Sequence, residues 1–153
     1  MPPHADPALY ALIAESYLRL TGTPLAPPGC GADWLYREAP FALLAHDAGA
    51  DPRFIYANLA AQTCFEYSSS ELIGLPSRLS AVPADRAERQ RLLDAVRRDG
   101  LVRGYRGLRI AKSGRRFWIE GGIIWQLTDE QGGACGQAAL FAPEAPSSPG
   151  AAR

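Results

Sequence analysis

The chain has 153 residues, 47% of them hydrophobic, and a formal net charge of zero. That argues for one domain with a single sizeable core and against overall disorder. No apolar run approaches the roughly 18 residues of a membrane span, and the start MPPHADPALY lacks the charged and apolar regions of a secretory leader.

Asp6 is a good N-cap, with Pro7 at the first helical position. Leu9, Leu12, Ile13, Tyr17 and Leu20 recur at helical spacing until Gly22, which predicts an amphipathic helix of about four turns. TPLAPPGCGADW (23–34) reads as a Pro/Gly-rich linker, followed by the short aromatic segment DWLYR. Residues 1–40 are thus expected to be a helix and its linker. Cys30, Cys64 and Cys135 are odd in number and form no CxxC pair, which argues against a disulfide framework or a metal site and fits a reducing cytoplasm.

FALLAHD (41–47) and RFIYANL (53–59) read as two strands joined by the turn AGADP. Asn58 caps a short helix, AAQTCFEY. Ser68 with Glu71 forms a capping box for a second, SSELIG. After the loop GLPSRLS, Asp85 with Glu88 forms another box. It opens a helix running to Arg98, with Leu92, Leu93 and Val96 on its apolar side. LVRGYRGLRIA (101–111) and RRFWIEGGIIWQLTD (115–129) form a hairpin across KSG. Phe117, Ile119, Gly121, Ile123, Trp125 and Leu127 alternate, which predicts one apolar face along the second strand. ACGQAALFA is a last strand, and the tail from 143 to 153 is expected to be disordered.

The segment from Arg78 to Arg116 holds twelve basic and four acidic residues, a net of +8 balanced by −5 before it and −3 after it. Two readings stay open: an anionic ligand or partner, or a solvated helix face and a charged hairpin turn. Nucleic-acid binding would want a more basic domain with a groove-fitting helix or exposed aromatics, and is not expected.

The element order predicts an α+β fold. One five-stranded antiparallel sheet carries the middle helices on one face, and the N-terminal helix caps the other.

The strings that fill this order resemble the PAS superfamily. RFIYANLAAQTCFEYSSSELIG is similar to the PAS segment in which a strand ends in Asn before a short helix, and AKSGRRFWI is similar to its K-S-G-x-x-F-W hairpin. EAPFALLAHD, DPRFIYANLAA, LPSRLSA, DRAERQRLLDAV and IAKSGRRFWIE resemble the MEKHLA subgroup, over about residues 8–141. The resemblance implies a PAS-like domain over 41–142 that senses a small ligand or mediates dimerisation, without catalysis. Fold alone does not choose between these roles.

The light-sensing PAS branch has a reactive Cys in a G-x-N-C-R-F-L-Q string. GLPSRLS aligns with it and places Ser77 at the Cys, and a hydroxyl has no accessible anion at neutral pH. Ala81, Arg109 and Ile119 stand where that pattern has amides, while Arg78 matches its phosphate-binding Arg. Covalent flavin photochemistry is therefore not expected. Haem is not expected either, since His46 is the one His beyond the N-terminal tail and it sits in a strand. The cofactor stays open.

The superfamily pattern also implies that Leu44 and His46 face inward from the first strand, and Arg103, Tyr105 and Arg109 from the strand that opens the hairpin, with Ile119 and Ile123 beside them. Gly107, Gly121 and Gly122 would leave space there. Such Arg residues need partners: either an anionic ligand, or this chain's own Asp47, Glu120 or Glu66. The candidate ligand set is Leu44, His46, Ser77, Arg78, Arg103, Tyr105, Arg109, Ile119 and Ile123. Leu108, Ile110, Trp118 and Ile124 would form the opposite face, covered by the N-terminal helix of the same chain or of a homodimer partner. The resulting expectation is a stand-alone sensory domain for a small anionic or polar ligand, signalling to a separate downstream protein. Its rival is an interaction module with a filled core.

Overall fold

The computed structural model describes residues 2–81 and 86–143. The elements are α1 (Pro7–Thr21), α2 (Ala32–Arg37), β1 (Ala42–His46), β2 (Phe54–Ala57), α3 (Leu59–Phe65), α4 (Ser69–Leu72), α5 (Arg86–Asp99), β3 (Leu101–Ile110), β4 (Arg116–Thr128) and β5 (Ala134–Phe141). Two short 3₁₀ turns, Pro3–Ala5 and Ser77–Ser80, complete the set. The strands form one antiparallel sheet in the order β2-β1-β5-β4-β3.

Local signals set the ends of these elements. The Asp6 carboxylate accepts from the Ala8 and Leu9 amides, and Gly22 closes α1 at φ 74°, a left-handed conformation that costs glycine nothing. Ser68 and Glu71 make the reciprocal capping box of α4. Asn58 does more than cap α3. Its Oδ1 accepts from Ala61 N and Leu43 N, and its Nδ2 donates to the Leu35 and Phe41 carbonyls, so one buried amide ties α2, β1 and α3 together. The DWLYR segment is helical as α2 and packs Leu35 and Tyr36 into the core, so the presumed linker is partly structural. The expected Asp85 cap of α5 and nearly all of the expected disordered tail lie outside the described residues.

The sheet separates two apolar clusters. On one face Ala42, Leu44, Phe54, Ala61, Phe65, Leu72, Phe117, Ile119 and Phe141 pack beneath α3 and α4. On the other, Ile13, Tyr17, Leu35, Leu43, Ala45, Trp125, Leu127 and Ala138 pack beneath α1 and α2. Thr128 pins α1 to the end of β4: its carbonyl accepts from Arg19 at 2.8 Å and its amide donates to the Ser16 hydroxyl at 3.1 Å.

The expected six-residue apolar row of β4 is broken. Between the pairs Tyr105↔Gly122 and Gly107↔Ile119, β4 carries one more residue than β3; between Val102↔Ile124 and Tyr105↔Gly122, β3 carries one more than β4. Gly121 and Gly104 hold these bulges, at φ 65° and 70°. Each extra residue turns the following side chains to the other face. Phe117 and Ile119 face α3, whereas Ile123, Trp125 and Leu127 face α1. Ile123 and Ile124 therefore exchange the faces expected of them.

Candidate functional site

A cavity of about 40 Å³ lies between the sheet and α5, with Leu44, His46, Ser77, Ser80, Arg89, Arg109, Ile119 and Gln137 in its wall. Its polar groups come from separate elements. The 3₁₀ turn Ser77–Ser80 brings both hydroxyls inside, and the isolated bridge Ala81↔Arg109 fastens the end of this turn to β3. Arg89 sits on the buried stripe of α5, four residues before Leu93 and seven before Val96, and is 9% exposed. Gln137 follows the inward alternation of β5 with Ala139 and Phe141.

Arg89 donates to the Ser77 hydroxyl, and Arg109 donates to Ser80 Oγ at 2.9 Å. Arg109 Nε is buried without a partner among the described residues. Burial pushes the Arg89 guanidinium down to about 10, and the neighbouring Arg109 charge adds to this. Among the described residues no carboxylate forms an ion pair with either arginine. The internal acids weighed as partners are engaged elsewhere. Asp47 accepts from the amides of its own loop at Gly49 and Arg53, Glu66 binds Ser113 N and Arg115, and Glu120 pairs with Arg106. His46 Nδ1 lies 2.8 Å from the Asp47 carbonyl. Burial lowers the His46 pKa; the Asp47 carbonyl partly opposes this, and the Arg89 and Arg109 charges reinforce it.

Of the residues expected to hold a ligand, Leu44, His46, Ser77, Arg109 and Ile119 come together here. Four do not. Arg78 turns outward and pairs with Asp51 at 3.1 Å, about half exposed. Arg103 precedes the Gly104 bulge and is exposed. Tyr105 packs against the α3 cluster with its ring across Gly107, where an added Cβ would lie 1.9 Å from the hydroxyl. The ring thus takes the space beside Gly107 and Gly122, while a Cβ on Gly121 would meet nothing within 4 Å. Ile123 lies on the α1 face, and Ile124, expected on the outer surface, lines the cavity instead. Leu108 and Ile110 are partly buried, while Trp118 is 45% exposed with the Arg106 guanidinium 3.8 Å above its ring. Ser80 and Gln137 were missed as site residues, and Arg89 stood outside the expected ligand set. Arg89 was signalled by its place on the apolar stripe of α5, and Gln137 by its period-two spacing from Ala139 and Phe141.

The sequence matches the MEKHLA domain family over residues 8–143. The chain belongs to this family. Its fold is that of PAS domains. The PAS domain of a Colwellia psychrerythraea protein superposes with a TM-score of 0.62 at 21% identity, covering 71% of this chain and 89% of that one. The fungal blue-light photoreceptor Vivid, in its light-state dimer, gives 0.59 at 19% identity, covering 84% and 90%. The LOV domain of the blue-light photoreceptor Aureochrome1 gives 0.57 at 19% identity, covering 68% and 75%. Comparison with curated protein sequences gave no match.

The photoreceptor likeness raises a flavin as a cofactor, and the residues of this MEKHLA domain do not fit one. A cavity of about 40 Å³ is far below the ~300 Å³ or more of ordinary cofactor sites. Its wall sets a guanidinium and an isoleucine, Arg109 and Ile119, where ring-binding amides would be needed, and Ser77 is a hydroxyl bonded to Arg89. The same volume is too small for a porphyrin.

Proposed function

We propose that this MEKHLA domain is a sensory module whose ligand is a small anion held between Arg89 and Arg109. One observation carries this reading: the buried Arg89 and the partly buried Arg109 border one small cavity with no carboxylate paired to either among the described residues. Guanidinium groups desolvated without a counter-charge are costly, and an anion accepting from both removes that cost. Ser77, Ser80 and His46 supply further polar contacts. The role is binding rather than catalysis. A nucleophilic Ser77 would need a base, and its hydrogen-bond partner is a guanidinium, which is protonated at neutral pH. Cys30, Cys64 and Cys135 form no disulfide among the described residues, which suits a reducing, cytoplasmic setting. Among the described residues no helix is long and apolar enough to cross a membrane. The signal would pass by protein contact to a separate downstream partner.

Thermal unfolding with acetate, nitrate, hydrogencarbonate and phosphate at fixed ionic strength tests the reading. At least one anion should raise Tm by several degrees in the wild-type chain and not in Arg109→Met. No Arg109-dependent shift with any of the four would overturn it.

The small cavity also favours a second reading, an interaction module with a filled core. Trp118 is the feature that supports a homodimer: α1 covers the Trp125 end of β4 and leaves Trp118 exposed at the other. Vivid forms a light-state dimer, which makes self-association through such a fold a reasonable second role. Sedimentation of wild type against Trp118→Ala separates the two, since only the dimer reading expects dissociation.

A further inference from the structure

The cavity asks its ligand for more than negative charge. Gln137 is 4% exposed and its orientation is fixed by a chain of amides. Gln126 Nε2 donates to the Gly136 carbonyl at 2.8 Å, which leaves Gln126 Oε1 as an acceptor. Gln137 Nε2 donates to that oxygen at 3.4 Å and to the Leu93 carbonyl at 3.0 Å. Flipping the Gln137 amide would set its oxygen against two acceptors. Its Oε1 is therefore the atom left over, buried and without a partner among the described residues, and Gln137 lines the same cavity as Arg109, whose Nε is likewise unmet there. A buried acceptor and a buried donor are thus unmet on two residues that border one small cavity. Each costs stability until something satisfies it.

A plain anion answers only the arginines. Acetate or nitrate offers acceptors on every side and would leave Gln137 Oε1 facing an oxygen or a methyl group. His46 adds a second acceptor: with Nδ1–H donating to the Asp47 carbonyl, Nε2 of the neutral ring carries a lone pair. The volume of about 40 Å³ holds only about three water-sized groups, which restricts the ligand to a few heavy atoms.

We infer that the ligand is a small oxyanion that also carries a hydroxyl, of the hydrogencarbonate, hydrogenphosphate or glycolate type. Its charged oxygens lie on Arg89 and Arg109 and its O–H donates to Gln137 Oε1. This rests on the anion-site reading above and adds to it a required donor.

The test compares ligands that differ only in that donor, by titration calorimetry on the wild-type chain in a sealed cell at constant ionic strength. Hydrogencarbonate and nitrate match in shape and charge, as do glycolate and propionate in shape and charge. The hydroxylated member of each pair should bind at least about tenfold more tightly, because a site built around a hydrogen bond rejects the analogue lacking it. Gln137→Met should bring each ratio to within about twofold while the chain still binds nitrate, and Arg109→Met should abolish binding of all four. Equal affinities within each pair, lost in Arg109→Met, would overturn the donor requirement and leave the anion site standing. Binding of none of the four, and of phosphate neither, would overturn both and make the cavity a water site.

Discussion

The two faces of the sheet are built on different terms. Beneath α1 and α2, Ile13, Leu35, Leu43, Trp125 and Leu127 are fully or almost fully buried, and the Trp125 indole N–H is satisfied by the Ile13 carbonyl at 3.3 Å. Two polar atoms on that side are buried without a partner among the described residues: Nδ1 of His4, whose ring stacks on Tyr36, and the Tyr56 hydroxyl, whose pKa is raised by that burial. Beneath α5 the wall carries two arginines, two serines, a histidine and a glutamine, two of whose polar atoms lack partners. Unmet polar atoms thus occur on both faces, and the difference is that the second sets two cationic side chains beside a cavity. Both faces carry a large apolar cluster, so stability draws on both, and what sets the α5 side apart is the charge beside its cavity.

Removing the centre of the α1 face gives the largest effect. Trp125 is 0% exposed and meets Tyr17 edge to face, with ring centroids 4.8 Å apart. Trp125→Ala should cost about 3–5 kcal/mol, read from the midpoint shift in urea unfolding. A loss under about 1 kcal/mol would mean that α1 is only loosely docked, and the contrast between the faces would collapse.

The α5 face should behave in the opposite sense. Arg109→Met removes a partly buried charge with no acid partner, so the apo protein should keep its stability or gain about 1 kcal/mol. The anion-induced rise in Tm should vanish at the same time. A variant destabilised by more than about 2 kcal/mol would show Arg109 to be structural, held by its bonds to this fold and not available to a ligand.

How far the sequence reveals each face follows from the same difference. Caps and alternation are local. Asp6, Asn58, the Ser68–Glu71 box and the KSG hairpin announce themselves within a few residues, and the sheet with its two covered faces follows from their order. The site depends on register. Extending period two through Gly104 and Gly121 puts Arg103 and Ile123 inside and Ile124 outside, and one bulged residue in each strand reverses this. The Gly121–Gly122 pair within an otherwise β-rich strand was the available sign of that kink. Partner choice is equally non-local. Nothing near Arg78 in sequence indicates Asp51, 27 residues earlier, and nothing near Arg89 indicates that it reaches Ser77. Arg89 was legible only as a charged residue on an apolar helical stripe, which is itself a signal that something polar waits inside.

The smallest effect, and the finest probe of the α5 face, is its response to pH. Burial, reinforced by Arg89 and Arg109, lowers the His46 pKa in the folded chain, so the unfolded chain takes up the proton first as pH falls. The contribution of His46 is intact above its unfolded value of about 6.5 and is lost as pH drops from there toward the lowered folded value. Urea unfolding at pH 7.5 and 5.5 should show a loss of at most about 1 kcal/mol that is absent in His46→Gln, once the shared carboxylate titration is subtracted by comparing the two proteins. A bound anion reverses the local field, because its charge offsets the two guanidiniums and favours the imidazolium. Saturating hydrogenphosphate should therefore shrink the acid-induced loss in wild type and leave the His46→Gln profile unchanged. If the anion stabilises both proteins equally at both pH values, His46 does not share the field of the site, and the face is less connected than its common cavity implies.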